Sequence, residues 1–136
     1  MSDRQAELEL ASGLFLSAEK TARLATDSDP DDRTAWILLG QALQGRRDKP
    51  LPGHTPPSIH DVRAAYEKAL AARPKDPVAI RELGMTYYRT SATERTPHAT
   101  DMALVYLRQY LVVAPDADDA AFVRGYVGEL EKGRRR

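Results

Sequence analysis

Prolines and glycines return in register along this chain. Pro30, Pro74 and Pro115 stand six residues before Trp36, Ile80 and Ala121, and Gly40, Gly84 and Gly125 follow each in turn. The steps from proline to proline and from glycine to glycine agree, 44 residues and then 41. A pattern that returns in register is an internal repeat, in which each unit buries its apolar face against a neighbour. Proline stops a helix because it lacks the N–H that would continue the ladder. Glycine and alanine let two helices approach closely. The spacing therefore predicts a stack of helix hairpins.

The periodicity between these fixed points is helical, and no strand pattern stands out. Leu10, Leu14, Ala18, Ala22 and Ala25 recur at near-fourfold spacing, predicting one leading helix over 4–26. Asp29-Pro30-Asp31-Asp32 supplies carboxylates that cap the next helix, whose buried face carries Trp36, Leu39, Gly40 and Leu43. That helix is expected to stop at Gly45, and 45–58, with four prolines and two glycines, reads as a long loop. Ser58 with Asp61 forms a capping-box start for a third helix that buries Val62, Tyr66, Ala69 and Leu70. Asp76-Pro77 opens a fourth, with Ile80, Leu83, Gly84 and Tyr87 inward. A second loop is expected over 90–101. A fifth helix then buries Ala103, Leu107, Tyr110 and Leu111, and a last one spans 117–132 ahead of a basic tail, 133–136.

Composition narrows the function. Twenty Lys and Arg balance twenty Asp and Glu, whereas a dedicated nucleic-acid binder carries a basic excess. There is no cysteine, hence no disulfide, thiolate metal site or cysteine nucleophile. The first ten residues mix charged and apolar types, and no segment approaches transmembrane length, so the expectation is a soluble cytoplasmic protein without membrane insertion. No HExxH, phosphate-binding glycine loop, GxSxG elbow or paired catalytic carboxylates occurs, so neither an enzyme nor a cofactor is expected. His54, His60 and His98 fall on loops or helix starts, too loosely placed for a metal site.

The line Trp36-x-x-Leu39-Gly40-x-x-Leu43 followed by Tyr66-x-x-Ala69 and Pro74 resembles the tetratricopeptide repeat. Ile80-x-x-Leu83-Gly84-x-x-Tyr87, then Ala103, Leu107 and Pro115, matches a second time. The resemblance covers residues from about 18 to 125 and implies an all-α fold, a right-handed superhelical stack of antiparallel hairpins with about six helices in one domain. It assigns 32–74 and 76–115 to two full repeats, 4–26 to a leading half-repeat and 117–132 to a capping helix. The chain departs from the family in its internal joins, about ten and seven residues longer than the usual tight turn. It also carries Tyr110 where the family prefers Ala and Arg124 where it prefers Leu.

The resemblance further implies a concave groove for a partner. Mapped residue by residue, that groove takes Thr34, Ile37, Gln41 and Gln44 from the first repeat. Val78, Arg81, Met85 and Tyr88 come from the second, and Phe122 and Tyr126 from the last helix. Aromatic groups with one guanidinium suit a peptide segment or an amphipathic helix of another protein. The Lys and Asn with which some family members hold a C-terminal carboxylate are replaced by Ile37 and Gln41, then by Arg81 and Met85. A chaperone-tail adaptor is therefore disfavoured. The long loops offer a second candidate, since Thr55-Pro56 and Thr96-Pro97 lie near Arg46, Arg47 and Arg95 and could accept phosphate. The expected function is a non-catalytic scaffold or adaptor. The alternative is a self-assembling structural subunit of a larger complex, joined through its terminal helices, with a homo-oligomer contact over residues 4–16.

Overall fold

A computed structural model describes residues 2–94 and 97–134, and these form seven helices with no strand among them. The chain divides into two compact units, Met1–Pro74 and Lys75–Arg136, and the division falls at one of the repeat prolines.

The first unit holds α1 (Ser2–Ala11), α2 (Phe15–Ser28), α3 (Arg33–Asp48) and α4 (Ile59–Ala72). The expected leading helix over 4–26 is two helices. Gly13 takes φ +75°, the left-handed region that glycine enters without steric cost. Gly13 N–H donates to the Leu10 carbonyl and Leu14 N–H to the Glu9 carbonyl, satisfying groups left open where α1 ends. Thr21 Oγ1 donates to Glu9 Oε1 at 2.6 Å, tying α1 to α2 in antiparallel order. This break raises the expected count of about six helices to seven among the described residues.

Gly45 does not stop α3, which runs on to Asp48. A Cβ at Gly45 would lie 2.5 Å from Phe15 Cε1, so this glycine serves packing of α2 on α3 and not termination. Gly40 plays the same part against α4, where a Cβ would come 2.7 Å from Tyr66 Cζ. The capping box at Ser58 and Asp61 forms in both directions. The intervening loop is thereby shortened to 49–58. Arg46 Nη2 donates to the Thr55 carbonyl at 3.0 Å and Arg47 Nη1 to the Pro57 carbonyl at 3.2 Å, which holds its second half onto α3.

The second unit holds α5 (Pro77–Glu94), α6 (Pro97–Val113) and α7 (Ala120–Arg134). Asp76 caps α5 through a 2.9 Å bond from Ala79 N–H. The loop expected over 90–101 is replaced by helix on both sides of residues 95 and 96. Ser and Thr side chains compete for backbone groups inside a helix. Here the hydroxyls bond back along the helix: Thr90 Oγ1 to Thr86 O at 3.0 Å, Ser91 Oγ to Tyr88 O at 2.7 Å, and Thr93 Oγ1 to Thr90 O at 3.1 Å. Pro97 stands at the first position of α6, where a missing N–H costs nothing. The suggested phosphate acceptor Thr96, with Arg95 and the tail residues Arg135 and Arg136, lies outside the described residues.

Gly84 brings α5 onto α6, since a Cβ there would lie 2.7 Å from Leu107 Cδ2. Ile80, Leu83, Leu104, Leu107 and Val123 fill the core of this unit. Gly125, the third glycine of the repeat, meets no neighbouring atom within 4 Å of its virtual Cβ. It keeps the spacing without the close approach.

Candidate functional site

Thr34, Ile37, Gln41 and Gln44 lie on α3 in the first unit. Ile37 is buried at 5% exposure and belongs to the core, so it offers nothing to a partner. Thr34 and Gln41 are half-buried, and Gln44 Nε2 donates to Asp48 Oδ1 at 2.9 Å along its own helix. The start of α3 adjoins a cavity of about 310 Å³ lined by Asp29, Asp31, Asp32, Arg33, Thr34, Ala72 and Arg73. Asp3, in the first turn of α1, faces Asp32 there. Burial first, then the Asp32 carboxyl and its charge, push the Asp3 pKa up to about 6.

The other six residues lie in the second unit, and there the structure brings some of them into contact. Tyr88 on α5 and Tyr126 on α7 have ring centroids 4.5 Å apart, tilted by 37°. Such tilted pairs stabilise by about 0.5–1.5 kcal/mol beyond the area they bury. The Tyr88 hydroxyl donates to Glu129 Oε2 at 2.6 Å, which fixes the ring as well as its polar end. That bond, then burial, then the Glu129 charge, push the Tyr88 pKa up to about 12. Glu129 lies one helical turn beyond Tyr126, on the same face. It was absent from the sequence-derived set, although the spacing Tyr126-x-x-Glu129 was a legible signal.

Arg81 is the second focus. Its Nη2 lies 3.1 Å from Glu82 Oε1 and its Nη1 3.4 Å from Asp119 Oδ2, just ahead of α7. Burial works against its charge, but Glu82 and Asp119 outweigh burial and hold the Arg81 pKa above its ordinary value. Tyr110 donates to Asp119 Oδ1 at 2.5 Å, and burial followed by that bond raises its pKa as well. Tyr110, at an alanine position of the repeat pattern, is buried and tied to the entrance of α7. Arg81 is thus a guanidinium already shared between two acids, with less capacity for a partner's carboxylate than its sequence position suggested.

Val78 and Met85 are half-buried on α5, and Phe122 is 68% exposed on α7. Beyond Tyr88, the end of α5, the first turn of α6 and the end of α7 enclose a cavity of about 730 Å³. Its walls include Ala92, Pro97 and Leu130, which the sequence-derived groove omitted. They come from three separated stretches of chain, so no periodicity in one helix could have assembled them.

Among the described residues no group of three His, Asp or Glu could hold a metal ion. No described helix is long and apolar enough to cross a membrane. No protein-family model matches the sequence, and no curated protein matches it.

Proposed function

We propose that the chain is a non-catalytic scaffold or adaptor, working in the cytoplasm, that holds a peptide segment or amphipathic helix of another protein. In this reading the helices belong to a right-handed superhelical stack of the tetratricopeptide type. The close approaches at Gly40 against Tyr66 and at Gly84 against Leu107 support it, because they fall at the glycines of the repeat. The observation that carries the function is the Tyr88–Tyr126 pair, oriented by Glu129 in the same unit as the exposed Phe122. Rigid aromatic groups anchor protein contacts because they bury large area and lose little side-chain freedom. Tyr88→Ala combined with Phe122→Ala leaves the cores of both hairpins intact, so the helical circular dichroism is expected to persist. Proteins captured by the wild-type chain are expected to be lost by this double variant. Retention of every one of them would end the reading.

A second reading has its own observation. Leu8, Leu14 and Leu24 are 59%, 54% and 66% exposed on α1, the bend after it and α2. Exposed leucines in one hairpin suit self-assembly into a larger complex. Sedimentation across a concentration series separates the readings: a mass that rises with concentration and returns to the monomer in Leu8→Glu favours assembly.

A further inference from the structure

The cavity of about 730 Å³ in the second unit lies within the range, about 300–1,000 Å³, of sites that bury organic groups. Leu130, Ala92 and Pro97 give it apolar walls, and Tyr88 stands at its lip. The charges around it are unequally committed. Glu129 accepts the Tyr88 hydroxyl, and Asp101 is paired with Arg134 Nε at 3.4 Å. Arg89 is exposed and makes no ion pair among the described residues. The first turn of α6 also lines the cavity and carries the positive end of a 17-residue helix. Asp101 and Arg134 thus offset each other and Glu129 is oriented by the Tyr88 hydroxyl, which leaves Arg89 as the lining charge without a partner among the described residues.

We infer that this cavity takes an acidic peptide segment. One large apolar side chain enters between Ala92 and Leu130, and an Asp or Glu carboxylate beside it meets Arg89 at the mouth. The inference rests on the protein-binding reading above and gives that partner a chemistry. It also places the anchoring charge on Arg89 and not on Arg81, whose guanidinium is shared by Glu82 and Asp119. Electrostatic complementarity of this kind selects among apolar segments that would otherwise bind alike.

The test is selection from a displayed random decapeptide library against the full chain, followed by affinity measurement of the enriched peptides. Enriched sequences are expected to place Asp or Glu within two residues of Leu, Ile, Met or Phe. Arg89→Glu is expected to weaken them at least about tenfold, as reversal of a partnering charge does. Ala92→Trp, which fills the cavity from an exposed helix position without changing charge, is expected to weaken them as much. Enriched peptides that are basic, or that bind both variants like the wild type, overturn this inference. If those peptides are instead lost with Tyr88→Ala and Phe122→Ala, the protein-binding reading survives. No enrichment at all counts against both.

Discussion

The two units use one packing device and spend their polar side chains differently. In each, a glycine of the repeat lets a large side chain of the next helix lie across the backbone: Tyr66 over Gly40, Leu107 over Gly84. In the first unit the strong polar contacts tie chain to chain. Arg46 lies 2.6 Å from the buried Glu19 and also holds the Thr55 carbonyl, and Arg47 holds that of Pro57. In the second unit the corresponding contacts orient tyrosines: Glu129 fixes Tyr88 and Asp119 fixes Tyr110. One set closes a loop; the other presents a face. A shared repeat thus leaves open which unit holds and which displays, because that choice resides in side chains outside the repeat positions.

The largest expected effects break the shared device. Tyr66→Ala is expected to cost about 3–5 kcal/mol and Leu107→Ala about 2–5 kcal/mol, as buried large-to-small changes do. Urea unfolding measures both, and hydrogen exchange should place the first loss in α3 and α4 and the second in α5 and α6. A loss below about 1 kcal/mol at Tyr66 would mean that the ring is not the wedge its burial indicates.

The glycines sharpen the same comparison. Gly40→Ala and Gly84→Ala force neighbours apart, costing about 1–3 kcal/mol, against which better helix propensity returns about 1 kcal/mol. Both are expected to lower the melting temperature. Gly125→Ala is expected to raise it, by about 1 kcal/mol of added stability, since its surroundings are open. Three glycines at equivalent repeat positions would then give two signs, which a thermal melt of each variant reads directly.

The ionisable contacts give smaller, pH-dependent differences. Tyr88 has its pKa raised from 10.0 to about 12, so folding favours its neutral phenol. Its contribution is present below about pH 10 and is lost as pH rises through about 12. In an ultraviolet titration Tyr88 should ionise late, and Glu129→Gln should return it towards the ordinary value. In the first unit, Asp3 is raised from 3.8 to about 6, so folding favours its protonated form. The attachment of α1 is therefore expected to be firmest below about pH 4 and to weaken as pH rises through about 6. Hydrogen exchange in α1 between pH 4 and 7 reports this, and Asp3→Asn should remove the dependence.

Much of the helical order was legible because it rests on local signals. Periodic apolar residues marked most of the buried faces, although Leu14 of the leading set stands 54% exposed in the bend after α1; Asp32 and Asp76 cap α3 and α5, and the Ser58–Asp61 box starts α4. The errors at Gly13, at Gly45 and across 90–94 share one cause. Glycine and serine or threonine read alike from sequence whether they end a helix or sit inside one. Gly13 ends α1 because its φ is positive; Gly45 continues α3 because Phe15 needs its space; Thr90 and Ser91 continue α5 because their hydroxyls find carbonyls one turn back.

Along the sequence itself, the period and the capping residues determined that this chain makes helices and where α3, α4 and α5 begin. These properties depend on residues within a turn or two of each other. Only the tertiary structure decided that Ile37 is core, that Arg81 is already engaged, and that Tyr88, Tyr126 and Glu129 form one group. The Arg81–Asp119 and Tyr88–Glu129 contacts join side chains about forty residues apart in the chain, where burial and competing partners, not spacing, set which groups remain available.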